Sequence, residues 1–446
     1  MLDNVKKIYM IGIGGISMSA LAKLLLNEGF DVCGNDVSPN EQTEILKKLG
    51  VKIVKNENLQ FVRECDAVVY TSAVSEDSKA LAVARKLKKK IFSRAEILGY
   101  FSRKRKCISV AGTHGKTTTT GMIASLLLCA GKSPTIHIGG NLKNIGQNLF
   151  IGSGEYFLTE ACEYKDSFLN LSNYISIVLN IEPEHLDYFK NFDNEINSFN
   201  KFIKNTNEDG YILINSTIKN ILQNENVSTL TFGFDEDADI KADNIFEYKN
   251  GRYKFDVIFK NEHFCTINLP CFCKHNILNS MAAVGVGIVL GMDAETIKKG
   301  IENFQGVERR MEIVYENQSK LVFHDYAHHP TEIKSTLSCF ALKQQKLIAI
   351  FQPHTFSRMR DLYNDFLSCF KGCDEVWLLP IYPAREKPID GINSFNFAKD
   401  LNRSGIKARY FGNFKSCKEE LGKSTDGIFA VLGAGDIVKM LDNVRK

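Results

Sequence analysis

KCISVAGTHGKTTTTGMIASLLLCAG, residues 106–131, reads as a buried strand, a glycine turn and an apolar helix stopped by Gly131. Within it, AGTHGKTTTT (Ala111–Thr120) sets the kind of α/β unit. The common phosphate loop, G-x-x-x-x-G-K-[ST], has four residues between its glycines. Here Gly112 and Gly115 enclose only Thr113 and His114. The physical demands are still met. Glycines let backbone N–H groups approach phosphate oxygens, Lys116 can neutralise phosphate charge, and Thr117 can offer its hydroxyl to Mg²⁺. A strand-to-helix loop is where an anion finds free N–H groups. A threonine-rich helix cap would explain Thr117 and Thr118 but not Gly-Lys at this register. A nucleoside triphosphate is the expected ligand.

The segments on either side extend the α/β pattern. KIYMIGIGG, SMSALAKLLLNEGF and DVCGND form a β-α-β unit, and CDAVVYTSA (Cys65–Ala73) is a further buried strand. GIGGIS (Gly12–Ser17) approaches a dinucleotide fingerprint, with Ser17 at the third glycine and Asp36 near the usual ribose acid. A packing turn explains that stretch equally well. Beyond the phosphate loop, EYFLTEA, YISIVLNI and YILIN read as strands. Residues 227–269 read as β-rich decoration, and HNILNSMAAVGVGIVLGM as a helix. KLVFHDYA, KLIAIFQP, EVWLLPI, KARYFG and GIFAVLGAG then alternate with helical stretches, the pattern of a mostly parallel sheet. The expected architecture is α/β in three domains: 1–105, 106–312 and 313–446.

Composition narrows the function classes. A chain of 446 residues is too long for one core. A net charge of +4, from 56 basic and 52 acidic residues, argues against nucleic acid as the main partner. RKRK (Arg103–Lys106) reads as a solvated linker. No apolar run reaches the length of a membrane span. The 12 cysteines include no C-x-x-C pair, and MLDNVKKIYMIGIGG shows no export signal. Unpaired thiols in a reducing cytoplasm, without membrane or nucleic-acid partners, are expected.

Three further clusters carry chemistry. TEACE (Thr159–Glu163) and EPEHLD (Glu182–Asp187) end neighbouring strands with carboxylates and His185, able together to hold a second Mg²⁺. HDYAHHPTE (His324–Glu332) suits either a substrate-facing loop or a zinc site, although no distant partner has ligand spacing. FQPHTFSRMRD (Phe351–Asp361) sets His354, Arg358 and Arg360 just after a strand, where arginine can pair with carboxylate or phosphate.

GIGGISMSA, TSAVSEDS, SRAEIL, AGTHGKTTTT, EACEYKDSFL, NIEPEHLDYF, KHNILNSMAA, FQGVERRME, DYAHHPTE, FQPHTFSRMRD and GAGD occur in this order. Together they resemble the ATP-dependent Mur ligases across nearly the whole chain. The resemblance implies a Rossmann-like domain for a UDP-sugar, a central ATPase domain and a C-terminal α/β domain for an amino acid. Its strongest form, to the branch adding the first stem-peptide residue, implies ligation of L-alanine to the lactyl carboxylate of UDP-N-acetylmuramate, with ATP and Mg²⁺ and an acyl-phosphate intermediate. It implies a cytoplasmic monomer or weak homodimer.

Residue by residue, the resemblance puts Gly112, Thr113, His114, Gly115, Lys116, Thr117, Thr118, His275, Asn276, Asn279, Arg310 and Asp325 at ATP. It puts Thr117, Glu160 and His185 at metal, with Glu163 in reserve for Glu160. Gly14, Gly15, Asp36, Ser72 and Arg309 fall to the UDP-sugar, and Tyr326 and His328 to the amino acid. Lys116, Glu160, His185, His354 and Arg358 form the catalytic set. Ser17 is a departure, because the family's turn often reads GIGGIGMS. Two alternatives are a ligase that recycles a whole peptide onto the same sugar and a nicotinamide-dependent dehydrogenase.

Overall fold

The computed structural model describes residues 1–71, 73–75, 77–222, 224–249, 251–340, 345–384 and 386–441. Three sheets carry the chain. The first has five parallel strands in the order Lys52–Val54, Asp31–Asn35, Lys7–Ile11, Ala67–Tyr70, Lys90–Ser93. Order reverses beside Lys7–Ile11, which pairs with Asp31–Asn35 on one side and Ala67–Tyr70 on the other. Open α/β sheets bind ligands at such a switch point, and GIGGIS emerges there. The strand KIYMI is buried at four of its five positions, as expected when helices cover both faces.

The second sheet has ten strands, with the phosphate-loop strand Lys106–Ala111 between Asn173–Val178 and Tyr156–Glu160. All three run parallel, with Val110 opposite Glu160 and Ala111 opposite Val178. That register makes the phosphate loop and both acidic loops leave the sheet at one edge. The helix Lys116–Cys129 buries nine of its residues and packs on Ala294–Glu302 at Gly300. A Cβ on Gly300 would lie 2.7 Å from the Leu126 backbone. The β-rich region contributes Ser228–Gly233, Ile240–Lys249, Arg252–Phe259 and Glu262–Phe272, which extend this sheet rather than decorate it.

The third sheet runs Glu312–Glu316, Lys320–Asp325, Gly427–Leu432, Leu347–Phe351, Glu375–Leu378, Ala408–Tyr410. Its first pair is antiparallel and the rest are parallel. By internal contacts the chain forms two compact units. One comprises 1–246, 253–270 and 275–305; the other comprises 247–252, 271–274 and 306–446.

The thiol expectation needs correction. Cys273 and Cys339 form a disulfide within the second unit, beside the packed rings of Phe272, Phe323 and Phe340. Loop spacing gave no sign of it, since 66 positions separate the two cysteines. The other ten cysteines are free. Thiol titration of the denatured chain should therefore give ten groups without reductant and 12 after reduction. A count of 12 before reduction would exclude the bond.

Candidate functional site

The phosphate loop is held open by backbone geometry only glycine adopts easily. Gly112 and Gly115 have φ of +139° and +86°. Asn180 receives the loop: its carbonyl accepts from Thr113 N–H at 3.2 Å and its Oδ1 from His114 N–H at 2.8 Å. A Cβ on Gly115 would lie 2.5 Å from Asn279 Oδ1, and Asn279 donates to Asn276 Oδ1 at 2.7 Å. The loop thus faces the helix His275–Val289 through the two asparagines expected at ATP, with His275 at that helix's first position. Gly115→Ala should raise the ATP KM about tenfold or more, from left-handed strain plus displaced Asn279. An unchanged KM in a phosphate-release assay would refute that packing.

Lys116 and Thr117 open the helix Lys116–Cys129, and Thr118 follows on its first turn. Lys116 Nζ donates to Gly112 O at 2.5 Å, Thr113 O at 3.1 Å and both Glu163 oxygens at 3.1 Å. Thr117 Oγ1 donates to Glu160 Oε2 at 3.0 Å, while Glu160 Oε1 accepts from Gly139 N–H at 2.6 Å. The two glutamates therefore face different partners. His185 Nε2 lies 3.7 Å from Glu163, and ligand atoms of Glu163, Glu184 and His185 all fall within 4.8 Å of one another. The expected pairing was Glu160 with His185; the structure puts Glu163 with His185 and Glu160 with Thr117. His185 itself has φ +54°, a strained backbone of the kind that concentrates at functional sites.

Sequence spacing missed Glu195. It lies on the helix Phe192–Lys204, fully buried, with Oε2 accepting from Glu184 N–H at 3.2 Å and Oε1 without a partner among the described residues. Burial pushes its carboxyl pKa up, helped by the charges of Glu163 and Glu184. Its only sequence signal was an acid in the first turn of an amphipathic helix, where N-terminal acids are common anyway. This set of carboxylates, a hydroxyl and an imidazole matches the oxygen-rich ligands Mg²⁺ takes. The Lys116 ammonium resting on buried Glu163 shows that this carboxylate attracts a cation.

At the first sheet, Gly14 N–H donates to Asp36 Oδ2 at 2.8 Å, and Ser38 N–H donates to Asp36 Oδ1 at 2.9 Å. Asp36 thus ties down the glycine turn. A Cβ on Gly14 would meet Asp36 and Thr43 below 3 Å, whereas Gly15 is exposed at the helix cap. Ser72 lies outside the described residues.

The remaining residues cluster in the second unit. Arg309 has φ +60°, and its carbonyl accepts from Tyr326 N–H at 2.7 Å. The Arg310 guanidinium lies over the Tyr326 ring at 5.8 Å. Asp325 accepts from Met311 and Ala327 N–H groups; burial pushes its carboxyl up, against the Arg310 charge. The His328 and His354 rings lie 5.7 Å apart, and His354 stacks on Tyr382 at 5.4 Å. Burial pushes both imidazoles below their ordinary value, so both are neutral near pH 7. Arginine only donates, so the 3.2 Å contact from Arg358 Nη1 makes His354 Nδ1 an acceptor. The Tyr326 carbonyl only accepts, so its 2.9 Å contact puts the His328 proton on Nδ1 and leaves Nε2 with a lone pair. His324 lies within its strand, and among the described residues no metal-ligating cluster includes it, so the zinc alternative finds no support.

Three family profiles match in chain order: Mur ligase family, catalytic domain, at residues 7–106; Mur ligase middle domain at 110–287; and Mur ligase, glutamate ligase domain, at 309–435. The UDP-N-acetylmuramate–L-alanine ligase of Clostridium kluyveri is 41% identical over 443 residues, covering 98% of this chain and 97% of that protein. The chain belongs to the Mur ligase family. The enzyme of the same name from Caldicellulosiruptor bescii is 40% identical over 99% of both chains. The solved UDP-N-acetylmuramate-alanine ligase of Thermotoga maritima shares 28% identity, with a TM-score of 0.81 over 98% of both chains. A murein peptide ligase from Psychrobacter arcticus, at 22% identity and a TM-score of 0.69 over 98% of this chain and 99% of its own, shares the fold. The three α/β sheets of this chain are thus those of a Mur ligase.

Proposed function

We propose that this Mur ligase joins L-alanine to the lactyl carboxylate of UDP-N-acetylmuramate, with ATP converted to ADP and phosphate. The observation carrying it is the short glycine loop at one sheet edge, with Lys116 facing Glu163, Glu184 and His185 close by, and Thr117 facing Glu160. The acid and the amine follow the names of relatives that are 40–41% identical over essentially the full chain.

A carboxylate is a poor electrophile, so ATP supplies the phosphoryl group that makes its oxygen a leaving group in an acyl phosphate. The protein then needs no nucleophile of its own; it positions reactants and neutralises charge. In this reading Lys116 and the backbone of Gly112–Gly115 hold the triphosphate, with Thr118 at the helix start. His275, Asn276 and Asn279 take the adenosine side, and Arg310 and Asp325 complete the ATP contacts. Thr117, Glu163 and His185 would hold Mg²⁺, with Glu160 orienting Thr117, and the bound ion would supply positive charge against the phosphate oxygens.

Gly14, Gly15, Asp36 and Arg309 serve the UDP-sugar, and Tyr326 and His328 the amino acid. The free Nε2 of His328 suits it to take a proton from the L-alanine ammonium, because Glu332 Oε2 lies 3.4 Å from the protonated Nδ1. His354 and Arg358 orient the reacting carboxylate. The reading keeps the three-domain division at 105/106 and 312/313. It also keeps a cytoplasmic location, with a monomer or weak homodimer. Among the described residues no helix is long and apolar enough to cross a membrane.

The test supplies UDP-N-acetylmuramate, ATP and Mg²⁺ and follows phosphate with and without L-alanine. Release should require both the sugar nucleotide and the amino acid. Turnover with a stem tripeptide but not with alanine would transfer the assignment to a peptide-recycling ligase, and nicotinamide reduction would overturn it altogether.

A further inference from the structure

One charged residue near the site has no ionic partner among the described residues. Arg94 begins the helix Arg94–Ser102, behind a capping box made by Ser93 and Glu96. Its guanidinium is half-buried, makes one side-chain hydrogen bond, Nη1 to Ser17 Oγ at 3.2 Å, and forms no ion pair among the described residues. Four of its five N–H donors are left over. Its charge acts on His137 and on Cys162, which directly precedes the buried Glu163. A partly desolvated arginine between a glycine turn and an acid cluster suits an incoming anion.

The contact that holds it is directional. Ser17 is where the glycine turn departs from its usual form, and its hydroxyl also lies 3.0 Å from His137 Nε2. His137 is buried on the strand Thr135–Leu142, with Nδ1 3.0 Å from Thr159 Oγ1. Thr159 in turn lies 3.1 Å from the Glu160 carbonyl. Both ends of this chain are fixed, because a guanidinium only donates and a carbonyl only accepts. Every proton in between follows. Thr159 donates to Glu160 O, His137 Nδ1–H donates to Thr159, Ser17 O–H donates to His137 Nε2, and Arg94 donates to Ser17. A neutral imidazole is required, and burial pushes the His137 pKa down to about 3. Asn148 adds a further tie, donating to Ile16 O at 2.8 Å.

We propose that Arg94 is a substrate-binding residue gripping an anionic oxygen group of the sugar nucleotide. Ser17, backed by His137 and Thr159, is the positioning device that aims its guanidinium. The proposal rests on the UDP-sugar reading above. Two groups of that substrate share the required chemistry, the diphosphate and the lactyl carboxylate.

Calorimetric titration of the full chain separates them. UDP-N-acetylmuramate carries both groups; UDP-N-acetylglucosamine keeps the diphosphate and lacks the carboxylate. Arg94→Ala should weaken UDP-N-acetylmuramate binding about 10- to 100-fold, the range of a hydrogen-bonded charge, and leave ATP binding within about twofold. An equal loss for both sugar nucleotides places the diphosphate on Arg94; a loss for the muramate alone places the carboxylate there.

Ser17→Ala and His137→Phe should each weaken sugar-nucleotide binding by about three- to tenfold in the unaltered background and have almost no further effect in Arg94→Ala. A merely structural role would instead add the two losses. Arg94→Lys keeps the charge without the fork and controls for folding. Unchanged sugar-nucleotide affinity in both Arg94 variants overturns the proposal, as do additive losses. If the unaltered chain binds no UDP-sugar, the parent reading falls and takes this one with it.

Discussion

Lys116→Ala should reduce ligation by about three orders of magnitude or more while leaving UDP-sugar affinity within about twofold. The ammonium sits at the glycine loop proposed to hold the triphosphate, bound by the Gly112 and Thr113 carbonyls and by Glu163. None of these contacts reaches the glycine turn of the first sheet, so sugar binding should survive. The variant has a second consequence. Glu163 is 1% exposed, and Glu184, Glu195 and His185 surround it. Losing the only cationic side chain hydrogen-bonded to it among the described residues leaves a buried carboxylate without that counter-charge, a change that commonly costs about 3–5 kcal/mol. Thermal unfolding should therefore fall for Lys116→Ala and recover in part when Glu163→Gln is added, although activity stays lost. Equal melting temperatures for the single and double variants would show that the ammonium does not compensate Glu163. A large loss of UDP-sugar affinity would show the loop to be misplaced.

The fold was legible because its signals are local. Buried parallel strands read as continuous apolar runs, and the glycine turns after Ile11 and Ala111 punctuate them. The loop chemistry was legible for the same reason: Gly112, Gly115, Lys116 and Thr117 lie within six positions. What stayed hidden depends on register and on long-range packing. TEACE offers two glutamates three positions apart, and nothing in the string separates them. The strand ends at Glu160, whose carboxylate turns to Thr117 and Gly139, and Glu163 lies beyond it in the irregular stretch facing Lys116. Glu195 is buried by tertiary contacts that a helical pattern does not reveal. His137 carries no signal in the sequence, because its two hydroxyl partners lie 120 positions before it and 22 after and come within 3.0 Å only through packing. The disulfide was missed because pairing is set by the third sheet's packing, not by cysteine spacing.

That division between the glutamates yields the second large effect. Glu160 has both oxygens committed, one to Gly139 N–H at 2.6 Å and one to the Thr117 hydroxyl at 3.0 Å. Glu163 instead presents both oxygens to a cation at 3.1 Å and stands within ligand distance of Glu184 and His185. Glutamine keeps the shape of either side chain and removes its charge. If Glu163 touches the metal as proposed, Glu163→Gln should raise the Mg²⁺ concentration for half-maximal activity by more than about 30-fold and lower kcat by about 100-fold. Glu160→Gln acts through Thr117 and should move the Mg²⁺ requirement by about tenfold at most, in the lower range of outer-shell substitutions. Both are measured by phosphate release across a Mg²⁺ series at saturating ATP, with thermal melts as the folding control. The ranking decides the matter: a greater Mg²⁺ shift for Glu160→Gln would return the metal to Glu160 and leave Glu163 as the counter-charge of Lys116.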